Sequence, residues 1–404
     1  VQTSPEKSTA VWNGDAVVAT GFARATHNIC DRLQARWQTP VLGINYHGDP
    51  HAYPYRIYPA ALGGDAWGIG RIDEILNRER PDLLVVQNDP WNVADYIGPW
   101  AHQIPVVAFM PVDGKNVKGK PLNGLALAIF YTEFARREAI KGGYRGPSAV
   151  VPLGINRDIY YPGDRAAARD RLGITRDLPA DVFIVGNVNR NQPRKRIDLT
   201  IKYFADWVNT HDADDAFLLL HMAPTGDRGW DVEQLCEYYG VKDRLIKTST
   251  NLELGVGVSE QTLRHIYLAQ DVTMTTTLGE GFGLTTLESM GCGVPNLVPD
   301  WSALGDWADA AVRIPCTGVS HTPNDVNVQG GVMDEEAAIA ALDRLYSDPV
   351  HRASVAAASR ELADRPRYRW DAIAADFGAL LDAVKDGRVA DRAMPEVAGA
   401  EAAA

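Results

Sequence analysis

At 404 residues and 44.1 kDa, the chain is long enough for two or three domains of roughly 150 residues each. Its 40 Lys and Arg against 52 Asp and Glu leave a net charge of −12, which argues against a general nucleic-acid binder, because that function needs a basic footprint. Apolar residues at 46% and charged residues at 23% exclude a largely disordered chain. Apolar runs such as Phe217–Leu220 and Leu83–Val86 are far too short for a bilayer span.

Residues 1–10 are polar and read as frayed. From Ala16 onward, short apolar runs alternate with longer helical patterns. Val41–Tyr46, Leu83–Gln87, Val106–Met110 and Ala126–Tyr131 are predicted strands, with predicted helices over His27–Trp37 and Ile69–Arg80 between them. Tyr161–Thr175 reads as a link, after which the rhythm restarts. Strands are predicted at Val182–Val188, Phe217–His221, Leu245–Thr248, Val272–Thr275 and Pro295–Val298. Helices are predicted at Asp198–Thr210, Val232–Tyr239, Glu260–Ala269 and from Leu284. Three further helices are predicted at Ala337–Tyr346, His351–Asp364 and Trp370–Val384.

Strand–helix alternation with short connections predicts an α/β protein with two doubly wound parallel sheets. The expected division is 1–160, 161–350, a C-terminal helical pair over 351–387 packing back on the first domain, and a solvated tail over 388–404. Ligands of such sheets bind beyond the carboxyl ends of strands, so polar, glycine-rich turns after strands are the places to search.

The richest such turn runs from Gly279 through Glu280, Gly281, Phe282 and Gly283 into a helix starting at Leu284 and Thr285. Glycines there let the backbone approach a ligand, and a helix N-terminus directs free N–H groups at an anion. Glu280 and Glu288 stand eight apart and can face one pocket as acceptors for sugar hydroxyls. A second polar stretch holds Arg190 and Lys195, five apart, with Arg194 and Arg196 as equally basic neighbours. Fixed cations of this kind can hold an anionic group.

The string from Glu280 to Pro295 resembles the E-x7-E signature of the group 1 (family 4) retaining glycosyltransferases of the GT-B fold. Arg190, Lys195 and Asp198 are similar to that family's G-R-x-x-x-x-K-G-x-D stretch. Val151–Asn156 with Tyr161-Pro162 is similar to its crossing segment, and Thr20–Arg24 to its N-terminal glycine loop. The resemblance implies two Rossmann-like domains facing across a cleft and a nucleotide-sugar donor as substrate. It implies Glu280, Arg190 and Lys195 as catalytic residues. Glu288 would take the ribose, and Gly281, Phe282, Gly283, Leu284, Thr285 and Gly21 would line the donor. The family often places a histidine where this chain has Asp113. That carboxylate is expected to hold sugar hydroxyls or the acceptor, and is counted with the catalytic set.

His47 and Asp49 follow a predicted strand and are candidate acceptor contacts. Trp91 is a candidate for stacking on a sugar face. Glu133 reads as a helix-capping residue. No cofactor and no metal are expected. Asp212 and Asp214 form a D-x-D, but it precedes its strand, away from the ligand edge. Cys30, Cys236, Cys292 and Cys316 are scattered and read as reduced thiols of a cytoplasmic protein, with peripheral membrane contact left open. No charged start followed by an apolar stretch reads as a signal peptide. The acceptor stays open among a glycan, a lipid-linked sugar, a protein and a small metabolite, with modified DNA ranked behind them by the net charge. The competing functions are a sugar phosphorylase, a nucleotide-sugar epimerase and a catalytically silent nucleotide-sugar-binding module.

Overall fold

A parallel sheet opens at Ser8, earlier than the composition of residues 1–10 suggests. The computed structural model describes residues 7–61, 64–179, 181–223, 228–248, 257–323 and 326–389. Strand β1 (Ser8–Asp15) is followed by β2 (Trp37–Gln38), β3 (Val41–Ile44), β4 (Ile57–Pro59), β5 (Leu83–Gln87), β6 (Val106–Met110), β7 (Leu127–Phe130) and β8 (Ser148–Val150). They lie parallel in the order β4-β3-β1-β5-β6-β7-β8, with β2 on the start of β1. Ser8 and Thr9 pair with Trp37 and Gln38, and the Thr9 N–H donates to the Asp82 carboxylate at 2.9 Å. The frayed reading therefore fails for residues 8–10, whose polar side chains hid a strand.

Every residue of β5 and β6 is buried, as expected where helices cover both faces of a parallel sheet. Helix α1 (Gly21–Leu33) is capped by Thr20, whose hydroxyl accepts from the Ala23 N–H. Helices α2 (Ile72–Glu79), α3 (Pro90–Trp100) and α4 (Glu133–Lys141) follow. Thr132, not Glu133, caps α4; its hydroxyl accepts the Ala135 N–H at 3.1 Å, while Glu133 pairs with Arg136.

The chain divides into two compact units. The first holds residues up to Val112, Asn116–Gly154 and those from Pro366 on. The second holds Asp113–Lys115 and Ile155–Arg365.

In the second unit, β9 (Phe183–Val188), β10 (Ala216–His221), β11 (Leu245–Lys247), β12 (Val272–Met274), β13 (Asn296–Pro299) and β14 (Val312–Ile314) form a parallel sheet in the order β11-β10-β9-β12-β13-β14. An antiparallel pair, β15 (Cys316–His321) and β16 (Gln329–Met333), departs from the all-parallel expectation. Lys115 adds to it by a two-way backbone exchange with Gln329 at 3.0 and 2.9 Å. Gly331 is needed here, because a Cβ would stand 2.6 Å from the Trp301 ring.

The stretch 161–175 is no linker. Asp164 caps helix α5 (Arg165–Arg171), which packs on α8 (Glu260–Leu268) inside the second unit. The remaining helices are α6 (Ile197–Thr210), α7 (Val232–Tyr238), α9 (Leu284–Gly291), α10 (Ser302–Trp307), α11 (Glu335–Ser347), α12 (Pro349–Asp364) and α13 (Trp370–Lys385). Helix α12 lies in the second unit and α13 in the first. There α13 closes the core against α1, with the Phe377 ring 5.2 Å from Trp12 and 5.1 Å from Phe109. Of the tail expected over 388–404, residues from 390 onward lie outside the described residues. Among the described residues no helix is long and apolar enough to cross a membrane.

Asp271, just ahead of β12, joins α5 to the second sheet. Its carboxylate accepts from Arg169 at 2.7 Å and from the Ile184 N–H at 2.8 Å, and it also meets Arg165. Removing one partner of a buried pair strands the other charge. Asp271→Ala is expected to lower unfolding free energy by about 3–5 kcal/mol, read from urea denaturation followed by circular dichroism.

Candidate functional site

In an open α/β sheet the ligand crevice forms where the strand order reverses. In the second unit that point lies between β9 and β12. The loops leaving these two strands are the two polar stretches singled out from the sequence. They are zipped together: the Leu278 N–H donates to the Arg194 carbonyl at 2.8 Å, and the Thr276 hydroxyl donates to the Arg196 carbonyl at 2.7 Å.

This pairing brings Lys195 onto Glu280, with the ammonium donating to the carboxylate at 2.5 Å. Both residues are about nine-tenths buried. Arg194 joins them. Its guanidinium stands 3.3 Å from Glu280 and 3.2 Å from Asp113, and donates to the Gly279 carbonyl. The Asp113 carboxylate also receives the Gly281 N–H. Asp113 comes this close because residue 279 is a glycine; a Cβ there would sit 1.8 Å from the Asp113 carbonyl oxygen.

Burial by itself would raise the Glu280 carboxyl, but the Lys195 ammonium and the Arg194 guanidinium outweigh it and hold it below the ordinary carboxylate range. Burial pushes the Asp113 carboxyl up, against the pull of Arg194. The cluster is thus two cations and two carboxylates, with Glu280 anionic and hydrogen-bonded.

Gly283 takes a left-handed φ of 96° and forms the N-cap of α9. The first-turn N–H groups at Leu284 and Thr285 have no partner within the helix by its geometry. The Phe282 carbonyl accepts from the Trp307 indole at 2.6 Å and its ring stacks on Trp307 at 5.0 Å, fixing the turn. Glu288, only 1% exposed, lies on α9 and accepts from the Tyr267 hydroxyl at 2.8 Å. Arg190 is exposed in the loop after β9.

Arg194 stands in the cluster, whereas Arg196 turns away to Asp198 at 2.9 Å. Arg196 also takes a left-handed φ of 48° at the head of α6, where the resembled stretch has glycine. The sequence signal for Arg194 was its place beside Lys195 on a turn after a strand, but only the fold decides which arginine faces inward.

The remaining candidates lie in the first unit. Gly21 is the first residue of α1. His47 and Asp49 are exposed after β3, with the Asp49 carbonyl accepting from the Tyr46 hydroxyl. Trp91 is 38% exposed at the start of α3. Gly21 and Trp91 follow β1 and β5, the neighbours between which this sheet's order reverses. The D-x-D lies before β10, and Asp214 meets Arg244 at 3.5 Å.

A family model described as "Family 4 Glycosyltransferase in conflict systems" matches residues 154–377, more than half of the chain. The chain belongs to the family 4 glycosyltransferases. This glycosyltransferase is 30% identical over 253 residues to a D-inositol 3-phosphate glycosyltransferase of Stackebrandtia nassauensis, covering 61% of the chain and 51% of that relative. A namesake from Streptosporangium roseum is 28% identical over 325 residues, 78% of the chain and 64% of the relative. The chain spans about half the length of the first of these curated relatives. Among solved structures, a sucrose-phosphate synthase from Thermosynechococcus elongatus matches with a TM-score of 0.74 at 18% identity, covering 95% of this chain and all of that one. Anabaena Alr3699/HepE in complex with UDP-glucose matches at 0.68 and 16% identity, covering 93% and 99%. These likenesses show the GT-B fold, with its two Rossmann-like sheets.

A carboxyl held low when folded stabilises the glycosyltransferase above its unfolded-state value, and that stability is lost as pH falls through the folded value. Glu280→Gln leaves Lys195 buried without its counter-charge, so it is expected to cost about 3 kcal/mol at neutral pH. The gap between wild type and variant should shrink as pH drops below the ordinary carboxylate range, read as urea midpoints across pH.

Proposed function

We propose that this family 4 glycosyltransferase transfers a sugar from a nucleotide-sugar donor to a hydroxyl acceptor, with retained configuration and without a metal ion. The observation that carries the reading is the Lys195–Glu280 contact, which joins two motifs 85 residues apart at the switch point of the second sheet. Breaking the glycosidic bond leaves negative charge on the departing phosphate. Lys195 and Arg194, with Arg190 from the same loop and the first-turn N–H groups of α9, stabilise that charge. Glu280, held anionic by its cations, accepts hydroxyls of the transferred sugar, and Asp113 takes those of the sugar or acceptor. Glu288, oriented by Tyr267, accepts the ribose hydroxyls. The leaving phosphate takes the acceptor proton in a front-face attack, so Glu280 is not asked to act as a base. The HepE complex with UDP-glucose, a protein of the same fold, supports a nucleotide sugar as donor.

A thermal-shift panel of UDP-, GDP-, ADP- and dTDP-sugars tests the reading. A donor at 100 times its Kd adds about 2.7 kcal/mol to stability, so one nucleotide class should raise the melting temperature clearly. No shift with any donor overturns the proposal. With the matching donor, Arg190→Ala, Arg194→Ala and Lys195→Ala should each lower kcat by ~10²-fold. Arg196→Ala, whose side chain faces Asp198, should stay within a few-fold of wild type.

A further inference from the structure

Val17 lies in the loop between β1 and α1 with a φ of 57°. A β-branched residue in the left-handed region is a real outlier, and such strain persists only where the surroundings over-determine it, most often at functional sites. What holds it is visible. The Val17 N–H donates to Nε2 of His27 at 2.9 Å. His27 lies on the seventh position of α1, and helical side chains tilt toward the N-terminus, so its ring reaches back over the helix start to the loop ahead of it.

Because Nε2 accepts, the imidazole is neutral and its proton sits on Nδ1, which donates to the Tyr55 hydroxyl at 2.7 Å. The same ring lies flat on Tyr53, 3.6 Å between centroids and 2° between planes. Tyr53 and Tyr55 belong to the segment after β3 that carries His47 and Asp49. His27 is buried at 7% exposure. Burial, and then the neighbouring His51, lowers its pKa to about 4, in keeping with a neutral ring at neutral pH. A second tie reinforces the first: Asp15, at the end of β1, accepts from the Thr20 hydroxyl at 2.7 Å and from Asn45 at 3.1 Å.

We propose that His27 is the positioning residue of the first unit's carboxyl edge: one neutral imidazole sets the β1–α1 loop through the Val17 N–H and the segment after β3 through the Tyr53 face. The bland alternative is a core histidine that merely fills space. It does not require a fixed tautomer, a strained backbone captured on one nitrogen and a coplanar ring on the other segment. The consequence for turnover rests on the transferase reading above; the structural role does not.

Two substitutions separate the two grips. Gln can accept the Val17 N–H but has no ring, and Phe keeps the ring but accepts nothing. Hydrogen exchange on the full-length protein, read by mass spectrometry, follows residues 16–20 and 45–55, with 83–87 in β5 as the folded control. In His27→Gln, exchange at 45–55 should rise ~10-fold or more while 16–20 stays near wild type. In His27→Phe, which keeps the Tyr53 face but loses both the Val17 acceptor and the hydrogen bond to Tyr55, exchange at 16–20 should rise ~10-fold or more and exchange at 45–55 less than in His27→Gln. Both loops moving together in both variants, or neither moving, overturns the assignment. Should a variant not fold, the Val17 amide of the wild type decides by nuclear magnetic resonance: slow exchange supports the bond, and the rate of an unprotected amide refutes it. With the donor selected by the thermal panel, kcat should fall ~10-fold in either variant. Turnover equal to wild type despite a loosened loop removes the catalytic consequence. If the wild type turns over no donor, the transferase reading fails and exchange alone decides for His27.

Discussion

The structure of the second unit depends on an ion pair that cannot be left half-made. Lys195 and Glu280 are both withdrawn from water, and a buried charge without its partner is far more costly than the pair is stabilising. The loops after β9 and β12 are therefore bound to meet. Once they meet, the glycine turn, the head of α9 and the Arg194 guanidinium are fixed in relation to one another. The Thr276 and Leu278 hydrogen bonds to the carbonyls of the β9 loop make the same contact from the backbone. Charges fixed in this way have no need to reorient when a new charge appears beside them.

Much of this was legible in the residue order, and for stated reasons. Leu83–Gln87 and Val106–Met110 match their strands to the residue, because strands buried on both faces show as unbroken apolar runs. β1 escaped because it begins with Ser8 and Thr9 and carries Asn13 and Asp15 inside the fold, so it shows neither a run nor an alternation. The β15–β16 pair escaped because Gly330 and Gly331 replace the β-branched residues that mark strands. α3 escaped behind Gly98 and Pro99 near its end. At the site, the two motifs could be found but not their mutual facing. Pro193–Lys195 forms a 3-10 turn, and its rotation, invisible in a spacing rule, sends Arg194 inward and Arg196 outward.

Two of the chain's departures from the resembled pattern have a physical correlate. Arg196 occupies a left-handed conformation that glycine adopts freely, and its guanidinium is held by Asp198 two residues on. Asp113 brings a carboxylate into the cation cluster, where Arg194 and the Gly281 N–H receive it. That acid gives Arg194 a second carboxylate partner beside Glu280.

The first unit takes its last core helix from the far end of the chain. α13 lays Phe377 against Trp12 and Phe109, while the Asp382 carboxylate accepts from the Trp37 indole. During synthesis, strands β1 to β8 emerge long before residue 370 leaves the ribosome, and an emerging domain ordinarily folds as soon as it is complete. This one cannot be complete until the intervening unit has been translated. An apolar groove on α1 and β1 therefore stays open to water through that interval, until α13 arrives to cover it.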